Sequence, residues 1–354
     1  MTSKVSPLQR LQIDLPWTQI PLISNAPMSG FASSDLAVAV TQSAGLGFIG
    51  FPGSPRRLES ELEQVKRSLQ ITNVTLVNPE ILPVGVGIII VGGRADIWSR
   101  TISKYQPAVV WLSFGSATEF DEWTTVIREA SPSTKVWIQL GSVCTALEVA
   151  QVCRPDALVL QGVDAGGHGH EHGASLLTLI PEVADTLLAY GLGDLPLVAA
   201  GGIMDGRSAA AAISLGASGL TMGTRFLGAM ETIIDPDVRR EIFDARDGGL
   251  STRRSRLWDD IWGPNPWPQM YDGRCLRNAI YDDVQGGLSM DQARRRLYDR
   301  DQLTASRSVK VKDVSTIWAG TGVGMVKRLE SAADIVEQIQ TDTRKRLRDL
   351  SRWG

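Results

Sequence analysis

The stretch Gln161-Gly-Val-Asp-Ala-Gly-Gly-His-Gly-His-Glu-His-Gly173 carries the most informative strand-to-loop junction of the chain. The run that leads into it, Ala157–Gln161, has the length and the Val and Leu content of a strand buried on both faces. Ser175–Tyr190, which follows, has the length and apolar content of a helix. A strand, a glycine-rich loop and a helix in this order predict one unit of a parallel α/β fold.

The same unit recurs along the whole chain. Eight short apolar runs, most without polar alternation, are candidate strands: Pro21–Met28, Leu46–Phe51, Pro83–Val91, Ala108–Phe114, Lys135–Leu140, Ala157–Gln161, Pro196–Ala200 and Gly219–Met222. Amphipathic segments of helical length lie between most of them: Ser33–Ser43, Pro55–Gln70, Thr118–Ala130, Thr145–Val152, Ser175–Tyr190 and Asp205–Leu215. Eight such units favour closure into a (β/α)₈ TIM barrel of the α/β class over an open, doubly wound sheet.

The alternation stops after Gly228. Residues 229–315 are rich in Arg, Asp and Trp, and Asp291–Asp299 has the pattern of a helix. We predict that residues 1–228 and 316–354 form the barrel, with Ala332–Leu350 as the last helix. Residues 229–315 are expected to form a smaller, mainly helical insertion that covers the substrate, and the Trp-rich region 258–268 is expected to shape the pocket.

Composition excludes several classes of protein. The chain has 354 residues, of which 43% are hydrophobic and 21% charged, with a net charge of −3. The interspersed charges give no case for a nucleic-acid or membrane partner, and the longest apolar stretch is far too short to span a bilayer. Three cysteines without a CxxC pair argue against a disulfide framework, and the N-terminus lacks a signal-peptide core. We therefore expect a cytoplasmic protein, and we expect it to be a monomer or a homodimer.

All three histidines of the chain, His168, His170 and His172, lie in the glycine-rich stretch. An imidazole can accept a proton near physiological pH, and flanking glycines leave room for a substrate. His168 could be a catalytic base, the HxHxH run could bind zinc, or the run could be a polar surface loop. We disfavour a metal, because a glycine-rich loop offers no regular element to hold alternate side chains on one face. We favour His168 as the base and expect His170 and His172 to be exposed to solvent.

Two consecutive predicted strands end in glycines that suit a phosphate. In many barrels the loops after strands seven and eight grip such a group through backbone amides. Gly201 and Gly202 follow the seventh predicted strand, and Gly223 and Thr224 follow the eighth. The alternative is that these glycines only allow a helix and a strand to pack closely. Arg225 could add positive charge there, or it could tie the barrel to the insertion.

Together these segments resemble the nitronate monooxygenases, formerly called 2-nitropropane dioxygenases. The resemblance spans essentially the whole chain and rests on six motifs: APM at 26–28, QGVDAGGHG at 161–169, AAGGIMDGR at 199–207, MGTRFL at 222–227, RCLRN at 274–278 and IWAGTGVGMV at 317–326. It implies a flavoprotein with FMN at the carboxyl ends of the barrel strands and a smaller helical domain closing over it.

The resemblance also implies roles for particular residues. Pro27, Met28 and Ser29 would line the isoalloxazine, Gln139 and Gln161 would contact flavin or ribityl oxygens, Gly167 would lie near the flavin ring, Gly201, Gly202, Gly223 and Thr224 would hold the phosphate, and His168 matches the catalytic histidine. The chain departs from the family at two places. Gly87 stands where many members have Asn or Gln, and Gln139 where some have Lys, so these departures bear on the substrate.

The implied reaction is the oxidation of alkyl nitronates, and of nitroalkanes after loss of an α-proton, with O₂ as co-substrate. The products would be a carbonyl compound and nitrite. An alternative is an NAD(P)H-dependent flavin reductase similar to the enoyl-acyl-carrier-protein reductases. A third hypothesis, a barrel that only binds a ligand, predicts protein that is purified without flavin.

Overall fold

The computed structural model describes residues 5–70, 81–304 and 310–352, so the predicted ranges 1–228, 229–315 and 316–354 extend in part beyond the described residues. The strands are β1 Leu22–Asn25, β2 Phe48–Ile49, β3 Leu82–Ile89, β4 Pro107–Ser113, β5 Lys135–Leu140, β6 Ala157–Gln161, β7 Gly167–His170, β8 Leu197–Ala200, β9 Gly219–Met222, β10 Thr252–Ser255 and β11 Tyr271–Leu276. The α-helices are α1 Pro7–Asp14, α2 Ser34–Gln42, α3 Pro55–Gln70, α4 Asp96–Tyr105, α5 Ala117–Ala130, α6 Val143–Val152, α7 Leu176–Ala189, α8 Gly206–Ser214, α9 Pro236–Asp244, α10 Gly248–Ser251, α11 Leu257–Asp260, α12 Ala279–Gln285, α13 Met290–Thr304 and α14 Ala332–Leu350. Three short 3₁₀ helices are η1 Thr224–Gly228, η2 Val311–Asp313 and η3 Thr321–Met325.

Eight parallel strands form the barrel, in the order β1-β9-β8-β6-β5-β4-β3-β2. They correspond to the eight predicted strands, so the predicted barrel is confirmed. The join between β1 and the two-residue β2 is the thinnest part of the ring. There the Leu46 N–H donates to the Ile23 carbonyl at 2.9 Å. The Asn25 side chain completes the join, since its Nδ2 donates to the Phe48 carbonyl at 2.8 Å and its Oδ1 accepts from the Phe48 N–H at 2.9 Å.

Three aromatic rings fill the inside of the barrel. Phe48 lies edge-on to Trp111 with ring centres 5.3 Å apart and at 5.7 Å from Trp137, and all three rings are buried. Gly85 on β3 leaves the space that the Phe48 ring takes. The barrel therefore has a packed core rather than a pore, and a ligand has to bind at its rim.

Most helices begin at residues that the sequence marks. α5 starts with a capping box in which Ser116 and Glu119 exchange hydrogen bonds, and α3 and α14 have the predicted limits. α4 was not predicted. The residue before it, Ala95, has no side chain that can cap a helix, so the usual start signal is missing. Among the described residues, no helix is long and apolar enough to cross a membrane.

In its described part, the segment 229–315 contains the helices α9 to α13 and also two strands. β10 and β11 pair antiparallel, and β11 pairs antiparallel with β7, which belongs to the glycine-rich stretch after β6. In that register His168 faces Gly273 and His170 faces Tyr271. The expectation that the histidine run is an irregular loop is therefore wrong. The strand with which it pairs, β11, lies about a hundred residues further along the chain, and local sequence patterns do not reveal this pairing.

Candidate active site

A cavity of about 400 Å³ opens at the carboxyl ends of the barrel strands. All eleven residues that were predicted for the site line it: Pro27, Met28, Ser29, Gln139, Gln161, Gly167, His168, Gly201, Gly202, Gly223 and Thr224. Its volume is within the range of cavities that hold cofactors and other small molecules. The structure thus brings the predicted residues together, while their roles toward a ligand stay predictions.

The loop after β8 presents bare backbone to this cavity. Gly201 and Gly202 have φ values of 104° and 73°, in the left-handed region that residues with a Cβ rarely adopt. The N–H groups of Gly202 and Ile203 have no hydrogen-bond partner among the described residues. Unpaired amides at the lining of a cavity are available to an anion.

The loop after β9 adds a second group of donors. The N–H groups of Gly223 and Thr224, at the start of η1, are also unpartnered within the described part of the chain. Thr224 Oγ1 accepts the Gly320 N–H at 2.9 Å and still has its own hydrogen to donate. The described lining includes no lysine or arginine, so backbone amides and a hydroxyl would have to hold an anion here.

Arg225 does not take part in this corner. Its side chain is buried and its Nη2 pairs with the Glu330 carboxylate at 2.8 Å, just ahead of α14. Of the two roles considered for Arg225, positive charge for a phosphate or a link between parts of the chain, the ion pair agrees better with the link. However, the tie runs to the segment that leads into the last helix, not to the 229–315 segment.

His168 is held by a carboxylate from the 229–315 segment. Its Nε2 lies 2.9 and 3.0 Å from the two carboxylate oxygens of Asp259, and the two side chains are only 15% and 13% exposed. A carboxylate can only accept, so the hydrogen of the imidazole lies on Nε2. Nδ1, which has no partner among the described residues, is the nitrogen left for a ligand. Asp259 is 91 residues from His168 in sequence, and no motif pointed to it.

Aromatic rings enclose the imidazole. Trp267 stacks on His168 at a centroid distance of 3.9 Å and an interplanar angle of 21°, and Trp318 lies 4.6 Å away at 48°. Both tryptophans line the cavity. Trp267 falls in the Trp-rich region 258–268, whose predicted effect on the pocket agrees with this position. The composition of that region was the one available signal, and it did not single out a residue.

The two glutamines form part of a hydrogen-bond chain across the rim. Trp111 Nε1 donates to Gln139 Oε1 at 3.1 Å, Gln139 Nε2 donates to Gln161 Oε1 at 3.0 Å, and Gln161 Nε2 donates to the His168 carbonyl at 3.0 Å. Each amide nitrogen has a second hydrogen that these bonds leave free. The pair can therefore hold the backbone of His168 and still donate to a ligand.

Gly87 has a structural explanation. A Cβ added at this position would overlap the Pro27 ring, and Gly87 does not line the cavity. In this chain Pro27 occupies the space into which a larger residue at position 87 would extend. The departure from the family pattern is thus matched by the packing of the first βα junction.

The other two histidines differ from each other. His172 is exposed, as expected, with 85% of its side chain accessible. His170 is not: it is half-buried, its Nδ1 is buried without a partner, and this burial lowers the pKa of its imidazole, with a smaller effect of His172. Pairing of β7 with β11 turns this side chain against Tyr271. Within the described ranges, no group of three or more His, Cys, Asp or Glu side chains is arranged to hold a metal ion.

Known proteins resemble the chain over nearly all of its length. A family model described as nitronate monooxygenase matches residues 88–254. The nitronate monooxygenase npaC of Metarhizium robertsii is 38% identical over 342 residues, covering 95% of this chain and 94% of that protein. A nitronate monooxygenase of Neurospora crassa is 33% identical over 370 residues, covering 98% and 95%. The solved structure of FabK from Thermotoga maritima has a TM-score of 0.74 at 25% identity and covers 98% of this chain and 99% of that one.

Proposed function

The chain belongs to the nitronate monooxygenase family, as its motifs indicated, and we propose that it is an FMN-dependent oxidoreductase that oxidises alkyl nitronates with O₂. Nitroalkanes are substrates once their α-proton is removed. The products are a carbonyl compound and nitrite. The observation that carries the proposal is the position of His168, held by Asp259 in the lining of the same cavity that presents two groups of unpaired amides.

The residues of the cavity fit FMN. The amides of Gly202, Ile203, Gly223 and Thr224 suit the phosphate, because free N–H groups and a hydroxyl bind a phosphate without a basic side chain. Gly167 has a φ of 75° and open space where a Cβ would point, which leaves room for a flat ring. Pro27, Met28 and Ser29 would line that ring, and the free amide hydrogens of Gln139 and Gln161 would meet its oxygens. When bound, the flavin supplies the transfer of electrons from the nitronate to O₂.

The side chains supply binding and proton transfer. With a neutral nitroalkane, His168 Nδ1 accepts the α-proton, and Asp259 faces the imidazolium that forms. With a preformed nitronate, the protonated ring donates an Nδ1 hydrogen to the anion. Trp267 and Trp318 keep the imidazole fixed and exclude water from its faces.

The segment 229–315 is, in this proposal, the part of the molecule that covers the substrate. It provides Asp259 and Trp267, and its strand β11 holds β7, on which His168 lies. We further propose that the protein acts in the cytoplasm, as a monomer or a homodimer. Its three unpaired cysteines suit a reducing compartment.

The test starts with the visible spectrum of the purified protein, which should show bound flavin, released on denaturation as FMN. Stopped-flow reduction of the flavin is then measured anaerobically with propyl nitronate and with nitropropane. His168→Asn should retain the flavin and should slow reduction by neutral nitropropane about 100- to 10,000-fold, the usual contribution of a general base. His172→Asn, an exposed neighbour, is the control and should behave as wild type. Unchanged reduction in His168→Asn would exclude His168 as the base, and colourless protein would exclude the flavin.

The alternative, an NAD(P)H-dependent flavin reductase, is weaker, because the two relatives that are 38% and 33% identical over nearly the whole chain are named nitronate monooxygenases. It predicts that NADH or NADPH bleaches the flavin rapidly without any nitronate. We expect the flavin to stay oxidised for far longer with either nucleotide than with propyl nitronate.

A further inference from the structure

A second cavity of about 510 Å³ lies at the same rim of the barrel. Its lining comes from the ends of β5 and β6, from the loops after β3, β4 and β5, from α5 and α6, and from β7, the start of β11 and the segment before it; it includes Val91, Leu140, His170 and Met270. Its position beside the cavity proposed to hold FMN makes it the nearest space into which a substrate could extend.

Three side chains line both cavities and so form the wall between them: Phe114, Gln139 and Gln161. The Phe114 ring lies edge-on to Trp267 at 4.9 Å and to Tyr271 at 5.1 Å. Trp267 lines the first cavity and Tyr271 the second. The two glutamines are held by hydrogen bonds on either side, whereas the Phe114 ring is held by packing alone.

The backbone of Phe114 has an unusual conformation. Its φ is 66°, in the left-handed region, although the residue is not glycine and is buried. A side chain with a Cβ disfavours this region, and such conformations persist where the surrounding structure enforces them. The unfavourable backbone therefore places a large ring in the wall at a position where glycine would adopt the turn more easily.

The chemistry of the second cavity favours a hydrocarbon chain. Val91, Leu140 and Met270 give it apolar walls. Among its described lining residues, the carboxylates are Glu119 and Glu148, and none is lysine or arginine. An alkyl chain would be accepted, whereas a chain that ends in a carboxylate would meet like charge.

We propose that Phe114 is the specificity-determining residue that limits this enzyme to short nitronates, and that the second cavity is the space which the distal carbons of a longer nitronate occupy when that ring is removed. The proposal rests on the proposed function, since it concerns the substrate of the same site. The nitronate group stays next to His168, and only the far end of the chain crosses the wall.

The first test uses linear primary nitronates from ethyl to octyl, with oxygen consumption as the readout. In wild type, kcat/KM should fall beyond butyl nitronate. In Phe114→Ala, the ratio of kcat/KM for octyl over ethyl nitronate should rise at least tenfold, and Phe114→Leu should give an intermediate value. Phe51→Ala is the matched control, because Phe51 packs against Trp98 and lines neither cavity. A wild-type ratio in both Phe114 variants, with their flavin spectrum intact, would overturn the proposal.

The second test refills the cavity. Val91 lines only the second cavity. Val91→Phe in the Phe114→Ala background should therefore abolish the gain in kcat/KM for octyl nitronate and leave kcat/KM for ethyl nitronate unaffected.

Linear alkanoates, whose carboxylate has the planar shape of a nitronate, give a readout without turnover. In Phe114→Ala the Kd for octanoate should fall at least tenfold relative to butanoate, as measured by perturbation of the flavin spectrum. Suberate, which has a second carboxylate, should gain much less affinity from Phe114→Ala than octanoate does. Adding Glu148→Gln should narrow the difference in affinity between these two ligands.

These outcomes separate the two proposals. If wild type oxidises no nitronate of any length, the proposed function fails. If wild type oxidises ethyl nitronate but the Phe114 variants show neither the altered ratio nor the tighter octanoate binding, only the role of Phe114 fails.

Discussion

The two sides of the cavity are built in different ways. The side formed by the loops after β8 and β9 offers backbone amides, and its glycines define it. The side formed by β7 and the 229–315 segment offers side chains, with Asp259 and Trp267 each in contact with His168. A backbone site is encoded within a few consecutive residues, whereas a side-chain site is assembled from distant ones. The comparison predicts that the first side governs cofactor affinity and the second governs turnover.

The largest effect is expected on the side-chain side. Asp259→Asn keeps the shape of the side chain but removes the charge that faces the imidazole, so kcat/KM for neutral nitroethane should fall about 10- to 100-fold, as for other groups that orient a histidine. Preformed ethyl nitronate should be affected much less, because it has no α-proton to lose. Steady-state oxygen consumption with both substrates measures the difference.

Asp260→Asn is the control for that variant, because Asp260 accepts a hydrogen bond from Asn265 and not from His168. Asp259→Glu should recover part of the lost activity, since it restores a carboxylate. An equal loss for nitroethane and for its nitronate would mean that Asp259 only supports the fold.

A smaller effect is expected on the backbone side. Gly202→Ala places a Cβ in the left-handed region and 3.1 Å from the Asp164 Cβ, which displaces the free amide. If this substitution raises the free energy of the FMN-bound state alone, a strain of about 1–2 kcal/mol would weaken FMN binding roughly tenfold. Titration of the apoprotein with FMN, followed by flavin fluorescence, gives the Kd.

Gly53→Ala is the matched variant, because Gly53 has a similar φ of 75° but does not line the cavity. It should lower the melting temperature to a similar extent without changing the Kd for FMN. If both variants leave the Kd unchanged, the loop after β8 does not bind the phosphate.

The smallest effect concerns His170, which shares β7 with His168. Burial lowers the pKa of its imidazole below the usual value of about 6.5, so the folded state binds fewer protons than the unfolded chain at mildly acidic pH. The contribution of His170 to the free energy of unfolding is complete above the usual imidazole pKa, and it is lost as the pH falls below that pKa. The melting temperature of His170→Gln should fall less between pH 7 and pH 5 than that of the wild type, by a few degrees or less. His172→Gln should reduce the slope less than His170→Gln does, because burial lowers the pKa of His170 more than the charge of His172 does. A wild-type slope in His170→Gln would refute the effect.

The same contrast explains what the sequence could predict. The eight barrel strands were recognisable because each is a continuous buried run, and the glycine corners because they follow those runs directly. Asp259 and Trp318 could not be found in this way, since their roles depend on contacts with residues about a hundred or more positions away. The strand β7 was missed for the same reason. Its four residues, Gly-His-Gly-His, have little intrinsic preference for a strand and pair only because β11 lies beside them.

Strand β7 gives His168 an unusual attachment. The chain connects this histidine to the barrel through β6, and Gln161 of β6 donates to its carbonyl, but the strand on which it lies pairs with β11, in the 229–315 segment. His168 is thus held by both parts of the molecule: its carbonyl by the barrel, and its imidazole by Asp259 and Trp267 of the 229–315 segment. Under the proposed function, a movement that separated the 229–315 segment from the barrel would draw the proton acceptor away from the cofactor side and admit solvent. We predict that such an opened molecule would exchange its ligands without reacting with them, so that substrate entry and proton removal occur in different states.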